Sequence, residues 1–142
     1  MELLPLESLV RLSLAIVPGF LVGLEREISR RPAGLRTHVL ISLASALFTM
    51  LSISPSFGDG VADPTRVASQ ILTGMGFVGA GVIISSGGHV RGVTTAASLW
   101  ITAAMGMAIG LGEYVLAGAA LVLTMVNLLI FRFFERAIVH KE

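Results

Sequence analysis

Apolar residues fall into five long runs, at about 8–24, 38–53, 67–85, 93–112 and 114–131. A bilayer helix needs about 20 apolar residues, so each run is close to the length of one crossing, the first two being short. The breaks between runs carry turn chemistry. Pro32-Ala33-Gly34 precedes the second run, Ser54-Pro55-Ser56-Phe57-Gly58-Asp59-Gly60 the third, and Ser85-Ser86-Gly87-Gly88 the fourth. Asp63-Pro64 reads as a helix start, with Asp as N-cap and Pro in the first turn. Gly112-Glu113 is the shortest break. The pattern predicts an all-α, polytopic helical bundle of about five transmembrane helices, with residues 1–142 forming a single domain.

Charge turns that pattern into a topology. Arg26, Arg30, Arg31 and Arg36 follow the first run, Arg91 follows the third, and Arg132, Arg136 and Lys141 follow the fifth. Eight of the ten basic residues therefore share one side, leaving only Arg11 and Arg66 on the other. The positive-inside rule places the N-terminus out and the C-terminus in. Tyr114 suits an outer interfacial anchor, and Phe131, Phe133 and Phe134 an inner one. The start Met1-Glu2-Leu3-Leu4 lacks the basic region of a signal peptide, so the first run is expected to be a retained helix.

Composition agrees. The 142 residues are 54% hydrophobic and 13% charged, about half the usual charged share of a soluble domain. The net charge of +1 argues against a nucleic-acid binder, and the absence of cysteine removes disulfides, thiolate catalysis and Cys-based zinc sites.

Small residues are patterned. Gly19-x-x-x-Gly23 and Gly106-x-x-x-Gly110 have the spacing that lets two helix backbones approach. Gly74, Gly76, Gly79 and Gly81 strip one helix in the same way. Gly74-Met75-Gly76-Phe77-Val78-Gly79 also spells the dinucleotide fingerprint. It lies within an apolar run, however, and the next acidic residue, Glu113, is too distant to read a ribose. Thr94, Ser98, Thr102, Gly106 and Gly110 recur every fourth residue as a small ridge. These glycine faces predict helix packing, within the chain or between copies. Residues 19–23 and 76–79, each followed by an Arg-bearing loop, hint at a parallel repeat of a two-helix hairpin.

Gln70, Thr73, Thr102 and Asn127 are polar residues that lie within the runs. No ionisable residue stands near the centre of a run, which argues against an ion-coupled carrier. Glu25, at the inner end of the first run, is expected to pair with Arg36 or Arg91. His38, His89 and His140 lack metal-ligand spacing, and Ser85 and Ser86 lack an acidic partner for a triad. Asp59 and Asp63 form a weak magnesium candidate. No catalytic residue and no cofactor is expected.

Five segments resemble the MgtC/SapB family. They are Gly23-Leu24-Glu25-Arg26-Glu27, Ala33–His38, Arg66–Ile71, Gly74–Ile83 and Val90–Trp100, in order along the chain. The resemblance implies a multi-pass protein of a bacterial or archaeal inner membrane. It also implies a link to growth in low magnesium, stress or virulence, and to the F-type ATP synthase. Virulence-type members carry a soluble C-terminal domain after the last span, and a short, core-only member without it is expected here. They have an acidic residue at the position of Ser86 and an Asn at Thr94, the Asn being tied to the synthase-related role. Thr94 keeps some hydrogen bonding but weakens that expectation.

Two functions follow. The first is a non-enzymatic regulatory module that binds itself or another membrane protein through a glycine-rich helix face. A polar cluster of Glu25, Arg36, Thr37, Gln70, Arg91, Thr94 and Thr95 would shape its cytoplasmic end. The second is a small channel or carrier for a cation, magnesium included, or a metabolite. Membrane lipid and a second copy of the chain are the expected partners, with no nucleic acid.

Overall fold

The computed structural model describes residues 5–54, 63, 66–86 and 89–139, with side chains for 6–54, 63, 66, 68–83 and 90–130. Asp59, Pro64, His140 and Lys141 lie outside the described residues. So do the side chains of Ser85, Ser86, His89, Phe131, Arg132, Phe133, Phe134 and Arg136.

Five helices form: α1 (Pro5–Ile28), α2 (Leu35–Ser52), α3 (Arg66–Val82), α4 (Val93–Leu111) and α5 (Tyr114–Val139). Three contain stretches long and apolar enough to cross a bilayer, at Leu6–Ile28, Leu35–Ser52 and Val93–Leu111. Ala68–Val82 and Tyr114–Ile130 are shorter apolar helices. The helical bundle carries one small addition at residues 84–91, read from the sequence as a break between runs. The third helix stops at Val82, and two short antiparallel strands follow, β1 (Ile84–Ser86) and β2 (His89–Arg91), with Ser85 opposite Val90. Gly87-Gly88 between them is the sequence signature of a two-residue hairpin connection.

The division between α4 and α5 is sharp. Gly112 sits at φ 88°, a conformation glycine adopts without steric cost. Its N–H donates to Ile109 O, and the Glu113 N–H donates to Ala108 O. This pair of bonds is a Schellman motif, which satisfies carbonyls that the helix end would otherwise leave unmet.

The helices are arranged inside out. α2 buries His38, Ser42, Ser45, Ala46, Thr49 and Met50 while exposing Leu40, Leu47 and Phe48. On α1, Leu6, Leu9, Leu14, Ile16, Val17, Phe20, Leu21 and Leu24 are exposed, and on α5 Val115, Leu116, Val122 and Leu123. A water-soluble helix does the reverse. Large apolar side chains outside and hydroxyls inside suit a hydrocarbon surrounding, where association rests on close packing and interhelical hydrogen bonds. The chain is a helical membrane bundle.

Glycine sets the bundle's centre. A Cβ at Gly19 would lie 2.6 Å from Val39 Cα, and one at Gly23 would lie 2.8 Å from Leu35 Cα. A Cβ at Gly106 would overlap the Ser42 carbonyl oxygen, and one at Gly110 would lie 2.7 Å from Ala46 O. α2 is therefore gripped between the paired glycines of α1 and those of α4. The registers give directions: 19 meets 39 while 23 meets 35, so α1 and α2 are antiparallel. By the same logic 42 meets 106 while 46 meets 110, so α2 and α4 run parallel.

Three small clusters complete the core. Ala15, Ala46, Ile109 and Ala117 join α1, α2, α4 and α5. Leu99, Ala103 and Met75 gather around Ala33. Val22, Met105 and Leu128 join α1, α4 and α5. α3 packs mainly against α4 and α2, and α5 against α4 and α1, on the flanks of the central three.

Candidate functional site

Polar groups run along the seam between α2 and α4. At one end His38 is fully buried. Its Nδ1 lies 2.9 Å from Gly34 O and its Nε2 lies 3.0 Å from Ser98 Oγ. A carbonyl can only accept, so Nδ1 carries a proton. Ser98 has one proton and two acceptors in range, the Nε2 of a neutral His38 and Thr95 O at 2.7 Å. Further along, Thr102 donates to Ser98 O and Thr49 donates to Ser45 O. Ser42 is buried beside Gly106, and its hydroxyl has no partner among the described residues.

Each end of the seam holds a buried cation. Beyond His38, Glu25 pairs with Arg26, and both side chains are about 95% buried. Ser29 Oγ donates to the other Glu25 oxygen at 2.6 Å. At the far end Arg11, 5% exposed, donates to Gly110 O at 2.6 Å and pairs with Glu7 at 2.5 Å. Arg11 thus sits on the C-terminal carbonyls of α4, where the helix dipole favours a positive charge.

The seam is tightly packed at Gly106, where the Ser42 backbone leaves no room for a methyl group. Among the described residues no three His, Cys, Asp or Glu side chains gather as metal ligands.

The residues expected to form a polar cluster are dispersed. Glu25 and Thr95 are buried, and Thr37 is half-buried. Arg36, Gln70, Arg91 and Thr94 are exposed. Glu25 forms an ion pair with its neighbour Arg26. Gln70 lies one turn from the start of α3, about 18 Å along the helix from Val82, and so belongs to the opposite end of the bundle. The small ridge of α4 also shifts at its first member. Thr94 faces outward, and Thr95 joins Ser98, Thr102, Gly106 and Gly110 in the buried row.

The glycines divide into two groups. Gly19, Gly23, Gly106 and Gly110 are filled against neighbours within the chain. A Cβ at Gly79 would meet Ala96 Cβ at 3.6 Å, whereas one at Gly74, Gly76 or Gly81 would meet nothing within 4 Å among the described residues. The close approach expected at those three is not made among the described residues. The two hairpins suggested as a repeat are therefore unequal: α1 grips α2 through its glycines, and α3 leaves most of its own uncovered.

Two further features went unread in the sequence. Arg11 and His38 looked like isolated polar residues, because their partners lie 99 and 60 positions away. Between α4 and α5 lies a cavity of about 450 Å³ lined by Thr94, Ser98, Thr124 and Asn127 together with apolar side chains.

The MgtC family profile matches residues 12–137. The chain is 44% identical over 131 residues to YhiD of Escherichia coli (strain K12), for which magnesium transport has been proposed; the match covers 88% of this chain and 60% of YhiD. It is 37% identical over 127 residues to Protein SapB of Bacillus subtilis (strain 168), covering 85% and 55% of the two chains. Against Protein MgtC of Brucella abortus (strain 2308) identity is 47% over 98 residues, covering 69% and 40%. The chain thus spans roughly half the length of these relatives. No solved structure matches it. The profile match covers the whole bundle from Arg11's neighbour Leu12 to the last turns of α5, and the chain belongs to the MgtC family.

Proposed function

We propose that this protein is a non-enzymatic, multi-pass regulatory module of the bacterial or archaeal inner membrane that works by docking the open face of α3 on another transmembrane helix. The first occupant is α3 of a second copy. Low-magnesium or stress adaptation, with the F-type ATP synthase as a membrane partner, is the setting that the family resemblance implies. The observation that carries the reading is the contrast among glycines. Gly19, Gly23, Gly106 and Gly110 are filled within the chain, while among the described residues Gly118 on α5 is bare and Gly74, Gly76 and Gly81 form a bare row on α3 beside exposed Gln70, Thr73 and Phe77. In hydrocarbon, exposed backbone and an unmet Gln amide are both better placed against another helix.

The second reading is a small channel or carrier for magnesium, another cation or a metabolite. It draws on the buried hydroxyl seam and on the transport proposed for YhiD. The tight packing of Gly106 on the Ser42 backbone, which leaves no room for a methyl group in the seam, favours the first reading.

The natural sequence has no cysteine, which makes disulfide trapping clean. Single cysteines at Phe77 and Gly81 are expected to cross-link two chains in native membranes, and cysteines at Leu40 and Val115 to do so far less. Equal cross-linking from all four positions would overturn the reading. So would reconstituted flux above that of empty liposomes that Gln70→Leu abolishes.

A further inference from the structure

The cavity between α4 and α5 is separate from the α3 face and from the seam's ion pairs. Its wall has two characters. Thr94, Ser98, Thr124 and Asn127 offer neutral hydrogen-bonding groups, and Ile101, Ala120, Leu123 and Leu128 offer hydrocarbon. No charged side chain lines it, so its interior suits neither a bare cation nor an anion. Thr94, Leu123 and Asn127 are exposed, so the cavity opens to the outside of the bundle. Its volume of about 450 Å³ falls in the range of small-molecule sites.

The polar group that most needs an occupant is Asn127. Its amide has two donors and an acceptor, and among the described residues none has a hydrogen-bond partner. An amide facing pure hydrocarbon is unfavourable. Arg91 supplies a charge nearby. It is exposed and precedes Thr94 by three residues, a chain distance of at most about 11 Å, within reach of a long flexible side chain.

We propose that this cavity seats one phospholipid. An acyl chain lies along Ile101, Ala120 and Leu123. The ester and glycerol oxygens take hydrogen bonds from Asn127 and Thr94, and the phosphate faces Arg91. Each part of the lipid meets its complement in the order in which the molecule presents them: hydrocarbon, ester, phosphate. A neighbouring helix could reach Asn127 through a polar side chain, but it has no phosphate to answer Arg91.

The test is native mass spectrometry of the full chain in mild detergent with added phosphatidylglycerol. The wild type is expected to retain one lipid per chain at low lipid excess. Asn127→Leu should bind about tenfold more weakly, the equivalent of one hydrogen bond. Ala120→Phe, which fills the cavity and removes no polar group, should also lose the lipid. Leu40→Ala on the exposed face of α2 should bind as the wild type does, and detergent melting verifies that each variant is folded. Unchanged retention in folded Asn127→Leu and Ala120→Phe would overturn the proposal, because the lipid would then be merely annular. A photoreactive residue at Leu123 that captures a polypeptide in native membranes, rather than lipid, would overturn it as well.

Discussion

The guanidinium of Arg11 and the carbonyl of Gly110 meet at 2.6 Å, joining the start of α1 to the end of α4. The same glycine presses on Ala46 and Thr49, so three helices converge at this contact. Arg11 also contacts the site above Gly112, where an added Cβ would stand 3.1 Å from its Nη2. A charged hydrogen bond of this kind contributes about 1.5–3 kcal/mol. Arg11→Gln is expected to lower stability by about 2 kcal/mol in detergent melting. Glu7 is 40% exposed, so its ion pair is weakened by solvent, and Glu7→Gln should cost under about 1 kcal/mol. Equal losses from the two variants would show that the ion pair, not the helix-end contact, holds α1 in place.

The filled and bare glycines predict opposite behaviour. Gly106→Ala drives a methyl group into the Ser42 backbone, which has no flexible end to give way. A loss of about 1–3 kcal/mol, with α2 and α4 pushed apart, is expected in melting experiments. A Cβ at Gly76 meets nothing within 4 Å among the described residues, and Gly76→Leu should leave the monomer's melting unchanged. Its effect should appear in oligomer assays, as loss of the associated form. A monomer destabilised by Gly76→Leu as much as by Gly106→Ala would contradict the packing described.

The five elements were legible because length and apolarity alone mark a bilayer helix. The close-approach spacing of Gly19, Gly23, Gly106 and Gly110 was legible too, but not which helix each pair would meet. Spacing shows a bare stripe on a helix, and the stripe at Gly74, Gly76 and Gly81 has the same signature as the filled ones. Hence the sequence could not separate internal from external packing. The His38–Ser98 and Arg11–Gly110 contacts were hidden because they are set by how helices cross, not by local pattern. The hairpin at 84–91 was missed for a different reason: Ser85, Ser86 and two glycines read equally well as a loop.

His38 and Ser98 are expected to be energetically coupled. Ser98→Ala removes the hydroxyl at 3.0 Å from Nε2 and leaves a buried ring nitrogen unmet, at about 1–3 kcal/mol. His38→Leu also removes the bond to Gly34 O, so it should cost more than Ser98→Ala. In a double-mutant cycle the two losses should fall short of additivity by at least about 0.5 kcal/mol. Strict additivity would mean that the pair is a neighbourhood without a bond.

The buried pair Glu25 and Arg26 should outweigh the exposed cations around it. Both side chains are about 95% buried, so neither charge has water to fall back on when the other is removed. Breaking such a pair costs about 3–5 kcal/mol, because the remaining charge stays desolvated. Glu25→Gln and Arg26→Gln are each expected to lose about 3 kcal/mol in detergent unfolding. The double variant should lose less than the sum, because it leaves no lone charge. Arg36→Gln and Arg91→Gln, both at exposed positions, should stay within about 0.5 kcal/mol of the wild type. If Arg36→Gln or Arg91→Gln were as damaging as Arg26→Gln, the carboxylate of Glu25 would be answering to a cation across the bundle rather than to its neighbour.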